Sequence, residues 1–286
     1  MASAAMEVRP IAGMLGAEVL GIDLRGGGDD ATWAALQRVF LDNHVVAVRS
    51  QQLSLDDMMA VGRRFGEPNE YPFVKGIEGY PFIHDIVKEP AETRNFGSDW
   101  HSDTTYLPRP PSVTLLYALQ TPARGGDTLY ANTRAAYEAL SDAMKRMLGG
   151  LIGVNGAGLK RKPGGGRAAR DANFYSAMKL QNGGRADALE AKHPAVRTHP
   201  QTRRKSLYVS TLHTNRFDGM TEAESQPLID WLNDHCIKPE FTCRVRWEPG
   251  TLTFWDNRCV LHNAINDYPG ERRHMRRLTV APEVPV

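Results

Sequence analysis

Trp100-His101-Ser102-Asp103 is the stretch of this 286-residue chain whose residue types could do chemistry. If the run is extended, side chains alternate along it and the imidazole and the carboxylate project from one face. They then offer a nitrogen and an oxygen to one cation and leave a gap for a third, distant ligand. Two histidines and one carboxylate on one face of an octahedron suit ferrous iron and keep positions open for substrate and oxygen. Taken alone, the pair is equally well a surface histidine beside an N-capping aspartate, so everything turns on a third ligand. His262 is the strongest of the nine histidines for that role, because it follows an apolar strand and the polar turn Asp256-Asn257-Arg258. His193, His199 and His213 compete, and each reads more simply as a loop or strand-surface residue.

Two arginines follow His262, Arg273 eleven positions on and Arg277 fifteen. Four residues is an even step, so on a strand both point to the same side. A guanidinium binds carboxylates and sulfonates through paired hydrogen bonds, which a lysine does less well. Without the metal triad, Arg272, Arg273, Arg276 and Arg277 would read as a basic, solvated edge that blocks sheet pairing.

The elements that must position these groups are mostly short strands. Residues 7–23 read as two strands around a glycine turn. Asp29 and Asp30 open an amphipathic helix through Trp33, Leu36 and Phe40, and His44 to Val48 is a β-branched strand. Ser54 and Asp57 form an N-cap for a second helix closed by Gly66. Residues 67–95, with prolines at 68, 72, 81 and 90, read as a loop. Val113 to Leu119 is apolar on both faces and suggests a central strand. Gly125-Gly126-Asp127 turns into another strand, and a helix is expected over 132–148. Residues 195–199 and 206–210 suggest strands, Thr221 and Glu224 a capping box, and the last 45 residues four strands separated by turns. Many short strands with a few helices predict a mainly β chain with flanking helices, a double-sheet jelly roll in one domain over residues 1–286.

Composition sets bounds on function. Hydrophobic residues make up 41% and charged residues 24%, ordinary for a globular chain, and the formal net charge of +2 supplies no global field to recruit nucleic acid. Lys160, Arg161, Lys162, Arg167 and Arg170 surround three glycines but lack a phosphate-loop pattern or interleaved aromatics, so a mobile solvated loop is expected there. No run reaches the roughly 18 apolar residues of a membrane span, and the start shows no secretory apolar core. Three cysteines without C-x-x-C spacing fit free thiols in a reducing compartment, and the expectation is a cytoplasmic protein.

The runs WHSDTTYLPRPPSVTLLYAL, GGDTLYANTRAAYEALS, WDNRCVLHNAINDYPGERR and MRRLTV resemble the taurine/2-oxoglutarate dioxygenase family, which includes taurine, alkylsulfate and aryloxyalkanoate dioxygenases. The resemblance runs from residue 7 to the end and weakens over 67–95 and 156–190. It implies a distorted jelly roll, or double-stranded β-helix, that uses Fe(II), 2-oxoglutarate and O2. It implies His101, Asp103 and His262 as iron ligands and Thr128 and Arg273 as partners of the distal carboxylate of 2-oxoglutarate. Arg277, Thr104 and Phe73 are then expected to face the prime substrate. Because Asp103 supplies a ligating carboxylate, hydroxylation rather than halogenation is implied. The Tyr-Pro-His run of taurine enzymes corresponds here to Tyr71-Pro72-Phe73, which makes the pocket more apolar and favours a larger organic acid over taurine. Loops 67–95 and 156–190 are expected to border the active site, and members of the family are commonly dimers or tetramers. Three alternatives accompany this reading: a zinc hydrolase using the same triad, a hydroxylase of a natural-product or amino-acid derivative within the same family, and a non-enzymatic ligand-binding jelly roll.

Overall fold

The computed structural model describes residues 6–157 and 189–286. The expectation for a border loop over 156–190 therefore lies almost wholly outside the described residues. In chain order the described elements begin with strands β1 (Glu7–Pro10) and β2 (Ala17–Leu20), helix α1 (Asp30–Asn43), strand β3 (Val45–Val48) and helix α2 (Leu55–Phe65). They continue with β4 (Pro68–Asn69), β5 (Ile83–Lys88), β6 (Pro111–Gln120), β7 (Thr128–Asn132), α3 (Thr133–Glu138), α4 (Asp142–Leu148) and β8 (Ile152–Gly156). The second part holds β9 (Glu190–Pro194), β10 (Val196–Thr198), β11 (Lys205–Leu207), β12 (Thr214–Phe217), α5 (Glu222–Cys236), β13 (Thr242–Val245), β14 (Leu252–Asp256), β15 (Val260–Ala264) and β16 (Arg273–Pro282).

A large sheet runs in the order β1-β2-β3-β14-β6-β16-β4, with β5 also on β16, and a small sheet runs β13-β7-β15. They form the two layers of a distorted jelly roll. Alternation along the central strands fills both faces. Leu116 and Ala118 of β6 join Tyr130, Val245, Trp255, Val260 and Met275 between the layers. Leu115 and Tyr117 of the same strand turn the other way, toward Trp33, Leu36 and Phe40 of α1 and Met58 and Val61 of α2. That double burial is why the β6 sequence is apolar on both faces. Behind the small sheet, Ala131 and Leu261 pack with α3 and α5 through Ala135, Ile229 and Leu232.

Two expectations change. Residues 67–95 are not one loop, because β5 pairs with β16 from Arg273↔Lys88 to Leu278↔Ile83. The prolines at 81 and 90 bracket this strand rather than exclude it. The helix over 132–148 is two: Ser141 begins a new one, its hydroxyl accepting from Met144 N, as an N-capping serine does.

Candidate active site

His101 and His262 face each other across the smallest possible piece of sheet, a single antiparallel bridge. His101 N donates to His262 O at 3.1 Å and His262 N to His101 O at 2.8 Å. His262 stands in β15, inside the small sheet, whereas His101 lies outside any strand. His101 is held as a bridge residue against His262, Asp99 at φ 85° and Thr104 at φ 47° bound the run from His101 to Asp103, and a turn begins at Asp103. A β-branched residue with left-handed φ is unfavourable and persists only where surrounding contacts impose it.

Asp103 Oδ1 lies 3.8 Å from Nε2 of both His101 and His262. One ligand atom from each residue fits within 4.8 Å, and all three residues are buried. His101 Nδ1 lies 2.8 Å from the Asp99 carbonyl oxygen, so its proton sits there and the Nε2 lone pair faces the cluster. Burial lowers the pKa of His101, and it lowers that of His262 to about 3 with His101 as the next cause. Both imidazoles are thus neutral donors. Burial alone would raise the Asp103 carboxyl, but the Arg277 guanidinium beside it, helped by the Thr114 hydroxyl, outweighs that and holds the group well below the usual carboxylate range. Two neutral imidazoles and one carboxylate, shielded from water, are a donor set that fits a divalent transition metal.

On the other side of the cluster, a cavity runs past Phe96, Leu116, Trp255 and Ala264 to Thr128 and Arg273. Arg273 is 4% exposed, and its Nε and Nη2 have no hydrogen-bond partner. A buried cation with orphaned donors is costly unless an anion joins it. Its guanidinium lies over the Trp247 ring, 5.6 Å from the centroid. Trp247 Nε1 donates to Thr128 Oγ1 at 3.0 Å, which leaves the threonine proton free to meet an incoming acceptor. The Gly125-Gly126 turn, at φ 77° and 68°, feeds Thr128 into β7. Gly126 N donates to Asp267 Oδ1 there at 2.7 Å, and a Cβ on Gly125 would collide with the same carboxylate. The cavity thus has two imidazoles and a carboxylate that could hold a metal at one end and a buried guanidinium beside a hydroxyl at the other, a lining that would fit a 2-oxo diacid.

Arg277 projects from the same face of β16 as Arg273, and both are buried, so the solvated-edge reading does not describe them. Arg277 Nη2 lies 2.8 Å from Asp103 Oδ1, yet neither Nη1 nor Nη2 is aligned for a hydrogen bond. Its guanidinium also sits over the Tyr71 ring, 4.8 Å from the centroid. Tyr71, Phe96, Thr104, Tyr106, Leu212 and His213 line a second cavity that opens from His101 and Asp103. Phe73 stands behind its wall, packed against the rings of Tyr71 and Tyr106 at 5.7 Å each.

His213, read from sequence as a loop or strand-surface residue, lines the site cavity. Its ring lies 5.6 Å from that of His101 and 5.1 Å from that of Tyr106. Nothing in its neighbourhood marks it, since it enters the site from the turn before β12. His193 and His199 are also buried rather than on the surface, on Leu107 O at 3.0 Å and Asp256 Oδ2 at 2.9 Å respectively. In a second group with ligand-like spacing, His44, Asp256 and Cys259, the Asp256 carboxylate and His44 Nε2 are already engaged by arginines. Arg258 donates to both Asp256 oxygens at 2.6 and 2.7 Å, and Arg134 Nε donates to His44 Nε2 at 3.2 Å.

Comparison with known proteins agrees with this geometry. The chain is similar to an alpha-ketoglutarate-dependent sulfate ester dioxygenase of Pseudomonas putida, 32% identical over 98% of this chain and 91% of that one. It is 31% identical to an alkylsulfatase of Acinetobacter baylyi over 98% of this chain and 86% of that one. Among solved structures, a taurine dioxygenase from Burkholderia xenovorans matches with a TM-score of 0.79 and 31% identity over 99% of this chain and 91% of that one. Residues 7–279 match the family model described as taurine catabolism dioxygenase TauD, TfdA family. With that match over nearly its whole length, the chain belongs to the TauD, TfdA family and is a 2-oxoglutarate-dependent dioxygenase, with Fe(II), 2-oxoglutarate and O2 as the reagents of its class.

Proposed function

We propose that the enzyme hydroxylates the carbon next to the anionic group of a small organic acid, with alkyl sulfate esters first among the candidates and sulfonates and aryloxyalkanoates next. In this reading His101, Asp103 and His262 hold Fe(II), and Arg273 with Thr128 holds the distal carboxylate of 2-oxoglutarate. The observation that carries the substrate side is Arg277, a buried guanidinium paired with Asp103 at 2.8 Å whose Nη1 has no hydrogen-bond partner. It would orient the substrate anion, and Thr104 would line the same approach. Tyr71, Tyr106 and Phe96 would exclude water from the carbon chain, with Phe73 stiffening the wall.

When bound, the iron supplies oxygen activation coupled to decarboxylation of 2-oxoglutarate to succinate and CO2. Hydroxylation of the carbon that bears a sulfate ester oxygen gives an unstable hemiacetal ester, which collapses to an aldehyde and sulfate. The sulfate-ester relatives support this order of candidates. The zinc-hydrolase alternative has no comparable support, and among the described residues neither cavity is lined by a glutamate that could serve as a general base. Cys236, Cys243 and Cys259 are free and buried, which suits a reducing cytoplasm, and we place the enzyme there as a homo-oligomer.

The test is an assay of inorganic sulfate and succinate from medium-chain alkyl sulfates, with sulfonates and aryloxy acids in parallel. Equimolar sulfate and succinate, dependent on 2-oxoglutarate and oxygen, is the expected result. Succinate release driven only by an aryloxy acid or a sulfonate would replace the substrate class. Sulfate release without 2-oxoglutarate would overturn the reading.

A further inference from the structure

We propose that Thr114 and Asn257 are positioning residues that restrict Asp103 to ligation through one oxygen, a role that rests on the metal-site reading above. Thr114 is wholly buried in β6, held between Trp255 of β14 and Thr279 of β16. Its hydroxyl donates to Asp103 Oδ2 at 2.6 Å. Asn257, 1% exposed, donates from Nδ2 to Thr114 Oγ1 at 2.8 Å.

The direction of each bond is fixed by elimination. Trp255 Nε1 can only donate, and it reaches Asn257 Oδ1 at 3.0 Å. The Asn257 oxygen therefore faces the indole and its NH2 group faces Thr114. A threonine hydroxyl has one proton. Since Thr114 Oγ1 already accepts from Asn257, its own proton goes to Asp103. The relay is one-way, Asn257 to Thr114 to Asp103, and it ends in a short charge-assisted bond.

Only Oδ2 is engaged in this way. Oδ1 is the oxygen that lies 3.8 Å from both histidine Nε2 atoms. Without the Thr114 proton, Oδ2 would be free to swing toward the metal. Two-oxygen ligation would then occupy a position that a chelating 2-oxo acid and oxygen need. Such supporting partners are commonly worth about 10- to 100-fold in metal affinity or activity.

The experiment compares Thr114→Val, Thr114→Ser and wild-type apoprotein in anaerobic titrations with Fe(II), then with 2-oxoglutarate, reading both the metal affinity and the visible charge-transfer band of the chelate. Thermal unfolding of each metal-free protein serves as the folding control. Thr114→Val is expected to change Fe(II) affinity by about tenfold or more and to weaken or shift the band, with Thr114→Ser restoring both. Asn257→Asp, which removes the donor to Thr114, is expected to act in the same direction and carries the test if the valine variant fails to fold. Wild-type-like binding and band in Thr114→Val, or equal loss in Thr114→Ser, would overturn the proposal. Failure of wild-type protein to bind Fe(II) would instead overturn the metal-site reading itself.

Discussion

A buried guanidinium with orphaned donors and, among the described residues, no ion pair is what distinguishes Arg273 from its neighbours. Arg272 pairs with Glu89 at 3.0 Å, Arg276 lies 3.7 Å from Asp85 and Arg277 lies 2.8 Å from Asp103, whereas Arg273 Nε and Nη2 have no hydrogen-bond partner. Replacing Arg273 by Gln keeps some polarity but removes the cation. It is expected to raise the 2-oxoglutarate concentration for half-saturation at least about tenfold, since a charged hydrogen-bonded pair is worth roughly 1.5–3 kcal/mol. Steady-state kinetics at saturating prime substrate would show this, and an unchanged 2-oxoglutarate KM would remove Arg273 from the site. At this scale the sequence was legible where spacing restricts geometry: the even step from Arg273 to Arg277 survives as one face of β16. The pairing of His101 with Asp103 was legible in the same way, whereas the left-handed residues Asp99 and Thr104 that bound the run were not. His213 was only one competing histidine and the roles of Thr114 and Asn257 were not visible, since their meaning depends on contacts between elements far apart in sequence.

Local chemistry made the element boundaries readable where side chains cap backbone groups. Asp29, Ser54 and Thr221 each accept from the backbone three residues on, and the last two complete capping boxes with Asp57 and Glu224. Ser54→Ala is expected to cost about 1 kcal/mol and lower the unfolding midpoint by about 2–4 °C, while leaving turnover unchanged. A calorimetric midpoint equal to wild type would mean that α2 is held by packing alone. Such packing is close: a Cβ on Gly62 of α2 would fall 2.4 Å from Leu278 Cδ2, one residue past Arg277. Strand β5 was harder to read, because its prolines punctuate rather than forbid, and its six partners lie on β16, nearly two hundred residues away. The split between α3 and α4 was visible only in Ser141, which hydrophobic periodicity smoothed over.

Across the whole molecule, the jelly roll was legible from the density of short strands, while the assignment of strands to the two sheets was not, because the antiparallel partners of the central strands come from distant segments. The same burial that dries the site also stores acid sensitivity. His44 and His84 are pushed down to about 4 chiefly by burial, and burial likewise lowers His193. Each folded-state value lies below the ordinary 6.5 of an exposed histidine. The unfolded chain therefore binds more protons below that value, and the stability these groups contribute is complete above about 6.5 and lost as pH falls toward about 4. The urea midpoint of metal-free protein is expected to fall between pH 7 and pH 5, and a flat profile over that window would contradict the burial of these imidazoles. The most direct test of the central claim is an anaerobic titration of the apoprotein with Fe(II) and 2-oxoglutarate, followed by visible absorbance and repeated with Asp103→Ala. The account predicts a weak charge-transfer band that requires both additions and is absent from the variant. No band in the wild-type protein, or an equal band in Asp103→Ala, would contradict it.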